Sequence, residues 1–490
     1  MRLIPVAYVI GWLLVILAIS MVVPIVVAAS LAERTPALAF ALSAVATLFV
    51  GGSLILALKS RAKVELRRHG LMLLGVAWLL LPMCAAAPLW LSGALSAPIP
   101  AYFEAVSALT TTGATVFREL GEVPKALIIW RALLQWIGGL GTILGIAIII
   151  APTASDEPAG LGYIQSGHAA RAQGWLPRAT FGTIIPLYLA LTGLCLIGLL
   201  IAGIPSFDAT SLAFSAVSTG GFMPRDGTIE LYGAPAAELV LSLTMFAGAI
   251  SLLWLRALLT LNWSHVFENR EPFWIALAIA ILAGFIVNEL LASAPGRELA
   301  TTLRSLTLAV TTAASFVTTT GFAVSERATE PISYVVLLTL CFIGAGRFST
   351  AGGLKFQRVG AMIRHCGREL HHLIYPHSVL SGAGDEERSL RDRIGAIWAN
   401  FAVAVVVATA LTLYLAATGL TLPAALLAAV SAIGNIGPAY ELAAAPELAL
   451  SPSYAALEPG AQLALTLGMV FGRFEVLALL AFLNLSYWRS

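Results

Sequence analysis

Long, nearly unbroken apolar runs dominate the chain, at 7–29, 37–58, 71–92, 126–151, 180–204, 236–261, 273–294, 332–354, 394–419 and 462–487. Each approaches or exceeds the roughly 20 residues a helix needs to cross about 30 Å of hydrocarbon, so the pattern predicts ten spans. Between them lie shorter, less apolar pieces near 102–112, 207–217, 302–318 and 422–433, each ending in Thr, Ser, Asn or Gly. These are too short to span and read as re-entrant half-helices. The first run, after Arg2 and ending in small residues at Val27–Ser30, mimics a signal peptide. It exceeds the usual apolar core of about 7–15 residues, and a second run follows at once. It is therefore read as a retained first transmembrane helix.

Composition agrees with lipid burial: 59% of the residues are hydrophobic and 11% charged, against about 25% charged in soluble domains. The basic residues cluster. Lys59, Arg61, Lys63, Arg67 and Arg68 face only Glu65, and Lys355, Arg358, Arg364 and Arg368 form a second group. Basic loops stay on the cytoplasmic side, which places both termini inside. On the opposite side, Glu441, Glu447 and Glu458 make either a cation-concentrating rim or an ordinary solvated loop. Cys84, Cys195, Cys341 and Cys366 show no paired spacing and read as small hydrophobes. His365, His371, His372 and His377 share a polar stretch without a metal-binding helix pattern.

The four short pieces repeat one another. Ser107-Ala-Leu-Thr-Thr-Thr-Gly113, Ser215-Ala-Val-Ser-Thr-Gly-Gly221, Ser315-Phe-Val-Thr-Thr-Thr-Gly321 and Ser431-Ala-Ile-Gly-Asn-Ile-Gly437 align without gaps. The shared pattern is Ser, any residue, an aliphatic, three mostly small or polar residues, then Gly. Irregular backbone at membrane depth is tolerated where it is buried in protein or lines a cavity. Rings of backbone carbonyls can replace the water around a cation, and glycine reaches positive φ without a steric penalty. The preceding half-helix would aim its negative end at the same place. Small-polar runs also serve helix packing, but four registered copies favour an ion path.

With these motifs the chain resembles the potassium-transporter superfamily of the TrkH and KtrB type. The resemblance rests on Thr110-Thr-Thr-Gly-Ala114, Trp130-Arg-Ala-Leu-Leu-Gln-Trp-Ile-Gly-Gly139, Ser218-Thr-Gly-Gly-Phe222, Thr318-Thr-Thr-Gly-Phe322, Asn435-Ile-Gly-Pro438 and Gly472-Arg-Phe-Glu475. It runs from about residue 70 to the end, and two extra N-terminal helices point to the TrkH branch. It implies an all-α polytopic membrane protein: four M1–pore helix–M2 repeats with pseudo-four-fold symmetry plus two extra N-terminal transmembrane helices. The expected division is 1–69 for the N-terminal pair, then repeats at 70–151, 152–262, 263–372 and 373–490.

The resemblance further implies potassium uptake across the bacterial inner membrane. The ion would be held by backbone carbonyls of a filter comprising Thr111, Thr112, Gly113, Thr219, Gly220, Gly221, Thr319, Thr320, Gly321, Asn435, Ile436 and Gly437. A homodimer, a cytosolic ring of nucleotide-binding regulatory subunits and no covalently bound cofactor belong to the same expectation. Relatives carry a flexible gating loop where this chain has 344–355, a stretch whose glycines disfavour a helix. Gly346, Arg347, Phe348, Gly352 and Gly353 fall in it, with Arg473 below the filter.

Arg347-Phe348 departs from the small residues usual in relatives. Two readings stand: the pair plugs the path, or it points to cytoplasmic water and between helices. Arg473, inside the last span, is by default functional, although a structural salt bridge would also explain it; Glu475 is the nearest acid in sequence. A sodium-permeable or ion-coupled transporter and a non-conducting sensor are the alternative functions. No nucleophile–base pair, metal signature or phosphate-binding loop argues for an enzyme, and nucleic acid is not expected as a partner.

Overall fold

The computed structural model describes residues 3–61, 66–147, 176–293, 299–375, 385–443 and 451–473. Lys63, Glu65, His377, Glu447, Glu475 and the part of the last expected span after Arg473 lie outside the described residues. Nearly all regular structure is helical, as an apolar chain that must satisfy its own backbone in lipid requires.

Helices α1 (Leu3–Ser20) and α2 (Val22–Ser30) together make one 28-residue span. It packs against α3 (Arg34–Leu58). The crossing is close because Gly11 and Gly51 face each other: a Cβ on either would stand 2.8–2.9 Å from the other's carbonyl oxygen. Small residues let membrane helices approach in this way. Between α2 and α3, the Glu33 carboxylate accepts the backbone N–H groups of Lys125 and Ala126, at 2.9 and 3.1 Å. Those are orphan donors at the start of α6 (Lys125–Gly145). A negative charge at a helix N-terminus is also favourable, so the N-terminal pair is pinned to the body of the protein.

The body consists of long helices around short ones. α4 (Leu66–Leu91), α5 (Pro98–Leu109) and α6 come first. α7 (Leu176–Ile201), α8 (Ser206–Val217), α9 (Pro235–Ala249) and α10 (Leu252–Leu259) follow. The third group is α11 (Glu271–Ser293), α12 (Leu299–Val317) and α13 (Tyr334–Phe342). After α14 (Phe356–Ile374) come α15 (Asp385–Ala417), α16 (Leu422–Gly434) and α17 (Pro459–Arg473). The short helices α5, α8 and α16 are buried along most of their length, whereas residues such as Leu194, Ile201, Ile281 and Val406 on the long helices are exposed. That inversion is expected where lipid is the solvent. The chain is a multi-pass membrane protein, as expected.

Two of the ten expected spans take a different form. Among the described residues, seven helices are long and apolar enough to cross, or eight if one bent pair counts as a span. That pair, α9 and α10, turns by 111° where 236–261 was expected to run straight. The cause is a contact from far along the chain: the carbonyls of Gly248 and Ala249 at the end of α9 accept from Thr350 and Gly346 instead of from a following turn. The segment 332–354 is helical only through Phe342. The chain then forms a two-residue parallel bridge, β1 (Ile343–Gly344) with β2 (Leu354–Lys355), that closes a loop. The tenth span is described only as α17.

Candidate functional site

The four motif loops follow the C-termini of α5, α8, α12 and α16 and share one backbone design. The N–H groups of Thr112, Gly220, Thr320 and Ile436 reach back to the carbonyls of Ser107, Ser215, Ser315 and Ser431, at 2.8, 2.8, 2.9 and 2.9 Å. The preceding residues Thr111, Thr219, Thr319 and Asn435 bond one residue later, to Ala108, Ala216, Phe316 and Ala432. These are the paired bonds of a Schellman cap, which needs a left-handed residue. Here Thr111, Thr219, Thr319 and Asn435 take that conformation, with φ of 55°, 51°, 58° and 52°. A left-handed β-branched residue is an outlier, costing about 1–2 kcal/mol. Two residues on, Gly113, Gly221 and Gly321 are left-handed as well, with φ of 76–80°. Gly437 is not.

The loops stand shoulder to shoulder in cyclic order. A Cβ on Gly113 would strike the Gly220 carbonyl, one on Gly221 the Thr320 carbonyl, and one on Gly437 the backbone nitrogen of Ala114. A Cβ on Gly321 would lie 3.1 Å from Pro438 and 3.2 Å from Ile436. The ring therefore closes with repeat 1 beside repeat 2, then 3, then 4. Glycine is needed at 113 and 221 for space as much as for φ.

Carbonyls at successive levels of this ring have different partners. At the middle level, Thr112 accepts from the Gly437 N–H at 2.6 Å, Gly220 from the side-chain amide of Gln135 at 2.6 Å, and Ile436 from the Ala439 N–H at 3.1 Å. One level inward, the carbonyls of Thr111, Thr219, Thr319 and Asn435 accept no hydrogen bond from the described residues, although these residues are at most 1% exposed. Those of Gly113, Gly221 and Gly321 likewise have no donor among the described residues. The Gly437 carbonyl accepts from Tyr454 Oη at 2.9 Å.

Behind the first strand lies a buried ion pair. Glu104 Oε1 meets Arg131 Nε at 2.5 Å, and Glu104 also accepts from Thr115 Oγ1 and the Val116 N–H. Arg131 donates to Thr115 Oγ1 at 2.9 Å and lies 4.1 Å over the Phe222 ring, in the next strand. The pair is thus hydrogen-bonded to one strand and stacked on its neighbour.

Under the ring sits the loop between β1 and β2. Thr350 Oγ1 meets Thr219 Oγ1 at 3.1 Å and the Gly248 carbonyl at 3.0 Å. The Gly352 N–H donates to Thr319 Oγ1 at 2.8 Å. Arg473 Nη1 donates to the Thr350 carbonyl at 2.6 Å and its Nε to Thr142 Oγ1 at 2.7 Å. A cavity of about 30 Å³ adjoins the loop, with Thr142, Gly352, Lys355, Asn400, Gly434 and Arg473 in its wall. That is room for a water or two.

Comparison with known proteins gives the family. A profile of the TrkH family, described as cation transport protein, matches residues 37–272 and 275–486. The chain belongs to the TrkH family. It is similar to the Trk system potassium uptake protein TrkH of Halomonas elongata, at 30% identity over 495 residues and 98% of both chains. The TrkH of Salmonella typhimurium is 30% identical over 455 residues, 90% of each. The crystal structure of the potassium transporter TrkH from Vibrio parahaemolyticus superimposes with a TM-score of 0.84, at 25% identity over the whole of both chains. A TrkH-family chain is a transport protein, not an enzyme.

Against this TrkH-type frame, Thr111 through Gly113, Thr219 through Gly221, Thr319 through Gly321 and Asn435 through Gly437 gather in one ring, with Gly352, Gly353 and Arg473 beneath it. Arg347 and Phe348 do not line the cavity. The Arg347 N–H meets both Glu271 oxygens at 3.2 Å, its Nη1 donates to Gln357 at 2.7 Å, and the guanidinium lies 5.5 Å from the Phe348 ring. The sequence reading missed Glu104, Arg131, Gln135 and Tyr454. Arg131 and Gln135 stood inside a quoted motif, and an arginine within a span was signal enough.

Proposed function

We propose that this chain admits potassium through the ring of four loops, with the loop at 343–355 as its gate. One observation carries the reading. Four buried carbonyls at one level, those of Thr111, Thr219, Thr319 and Asn435, receive no donor from the described residues. A buried polar group left unsatisfied costs about 1–3 kcal/mol, and a dehydrated cation is the partner that repays a ring of them. Gly113, Gly221 and Gly321 supply a second level. The Schellman caps hold both levels open without a ligand, so the carbonyls need little rearrangement when an ion arrives.

The loop below supports the gating half of the reading. It is held up by Thr219, Thr319 and Arg473, and these contacts would have to part for an ion to leave inward. Arg473 adds a fixed positive charge beneath the ring. The commitment of Arg347 and Phe348 to Glu271, Gln357 and each other favours a path that these residues do not plug. The names of the relatives specify potassium uptake, and the resemblance to the family associates a glycine in all four strands, as at Gly113, Gly221, Gly321 and Gly437, with preference for potassium over sodium. From the resemblance we take the protein to sit in the bacterial inner membrane as a homodimer on a cytosolic nucleotide-binding ring, and from the basic loops we take both termini to lie inside.

The test is cation flux into liposomes holding the purified protein, for potassium, rubidium and sodium, beside Gly113→Ser. Potassium and rubidium should enter well ahead of sodium. The variant should lose discrimination, because its Cβ collides with the Gly220 carbonyl. Sodium entering as fast as potassium, or no cation entering with a regulatory subunit supplied, would defeat the proposal.

A further inference from the structure

Three of the four strands carry a side chain at the residue before the final glycine: Thr112, Thr320 and Ile436. The two threonines turn back behind their own strands, where Thr112 Oγ1 meets Thr110 Oγ1 at 2.7 Å and Thr320 Oγ1 meets Thr318 Oγ1 at 2.8 Å. The second strand has Gly220 there. Its φ lies outside the left-handed region, so backbone conformation does not call for glycine.

Space does. A Cβ on Gly220 would run into the Gln135 side chain, with Nε2 and Oε1 each at 2.6 Å. Gln135 is fully buried, rises from α6 in the neighbouring repeat, and donates from Nε2 to the Gly220 carbonyl at 2.6 Å. Arg131 lies one turn earlier on the same face of α6 and rests on Phe222 at 4.1 Å. The second strand is therefore gripped at two points by a helix that is not its own.

We infer that Gln135 is a positioning residue of the second strand, a side chain lent across repeats to fill the place that threonine fills in strands one and three. By holding the Gly220 carbonyl toward strand one, it leaves the carbonyls of Thr219 and Gly221, on either side, available to the ion. This rests on the transport reading above and names a determinant of its selectivity. The glycine at 220 and the glutamine at 135 are one feature written in two repeats.

A swap tests it. Gln135→Ala and Gly220→Thr are each made alone and then together, with potassium-to-sodium flux ratio and melting temperature in detergent measured for all four proteins. Each single change should lower the ratio about five- to tenfold, the equivalent of one lost hydrogen bond or a forced clash. The double variant rebuilds the backing of strands one and three and should return the ratio to within about twofold of the wild type on the same scale. A fourth variant, Gln135→Glu, keeps the shape but cannot donate while ionised. Its ratio should be low at high pH and recover as the pH is lowered.

A double variant no better than the worse single one would overturn the inference. So would compensation in melting temperature without recovery of the ratio, since Gln135 would then be packing alone. A wild type that shows no potassium preference would bring down the transport reading itself, and that result is in hand before any variant is measured.

Discussion

The second helices of the first and third repeats begin alike and end differently. α6 runs unbroken for 21 residues; α13 stops after nine, and the chain turns under the ring as a loop. In the first repeat, support runs from helix to strand: Arg131 and Gln135 hold the loops that follow α5 and α8. In the third it runs from strand to loop, because Thr319 Oγ1 accepts the Gly352 N–H. The first arrangement uses a buried charge pair that Thr115 and Val116 also hydrogen-bond. The second uses single hydrogen bonds, one of them from Arg473, and the neutral ones are each worth about 1 kcal/mol net. One sequence pattern has thus been built once as a brace and once as a latch.

The brace should be the costliest to break. Arg131→Met leaves the buried Glu104 carboxyl without its cation, so unfolding in detergent should show a loss of about 3–5 kcal/mol, with most of it recovered on adding Glu104→Leu. The latch should fail more gently. Thr319→Val keeps the shape but strands the Gly352 N–H, so the loop should lose about 1–2 kcal/mol of its hold and rubidium influx should rise about tenfold. Thermal stability should barely move. Smallest of all is the effect at Arg347 and Phe348. Arg347→Ala should change influx by less than about fivefold, since it gives up a half-buried hydrogen bond to Gln357 worth about 1 kcal/mol. Phe348→Gly relieves a left-handed φ of 53° and should add about 1 kcal/mol of stability. A large gain of flux from either would mean that the pair lies in the path after all.

The sequence reading located the loops because their pattern has a local cause. Each serine supplies the carbonyl that closes a cap, and each final glycine meets a neighbouring strand or its side chains. The family, the all-helical fold and the break after α13 were legible for similar reasons, being written in short stretches of composition. What stayed hidden depends on distance. Nothing in Thr111, Thr219 or Thr319 announces a left-handed backbone, since threonine is a poor choice for it. The capping bonds, and at 219 and 319 the hydroxyl contacts to the loop below, hold it there. Gly220 looked like one more filter glycine, because its reason is a side chain 85 positions earlier. The bend between α9 and α10 was invisible for the same cause: its donors, Gly346 and Thr350, come from the following repeat.

Glu33 has a consequence in time. Its carboxylate is made 92 residues before the Lys125 N–H it accepts, and chains are synthesised and assembled from the N-terminal side. Glu33 therefore exists before the helix whose first N–H groups it accepts, and in the finished protein it ties the start of α6, and with it the helix that carries Arg131 and Gln135, to the N-terminal hairpin.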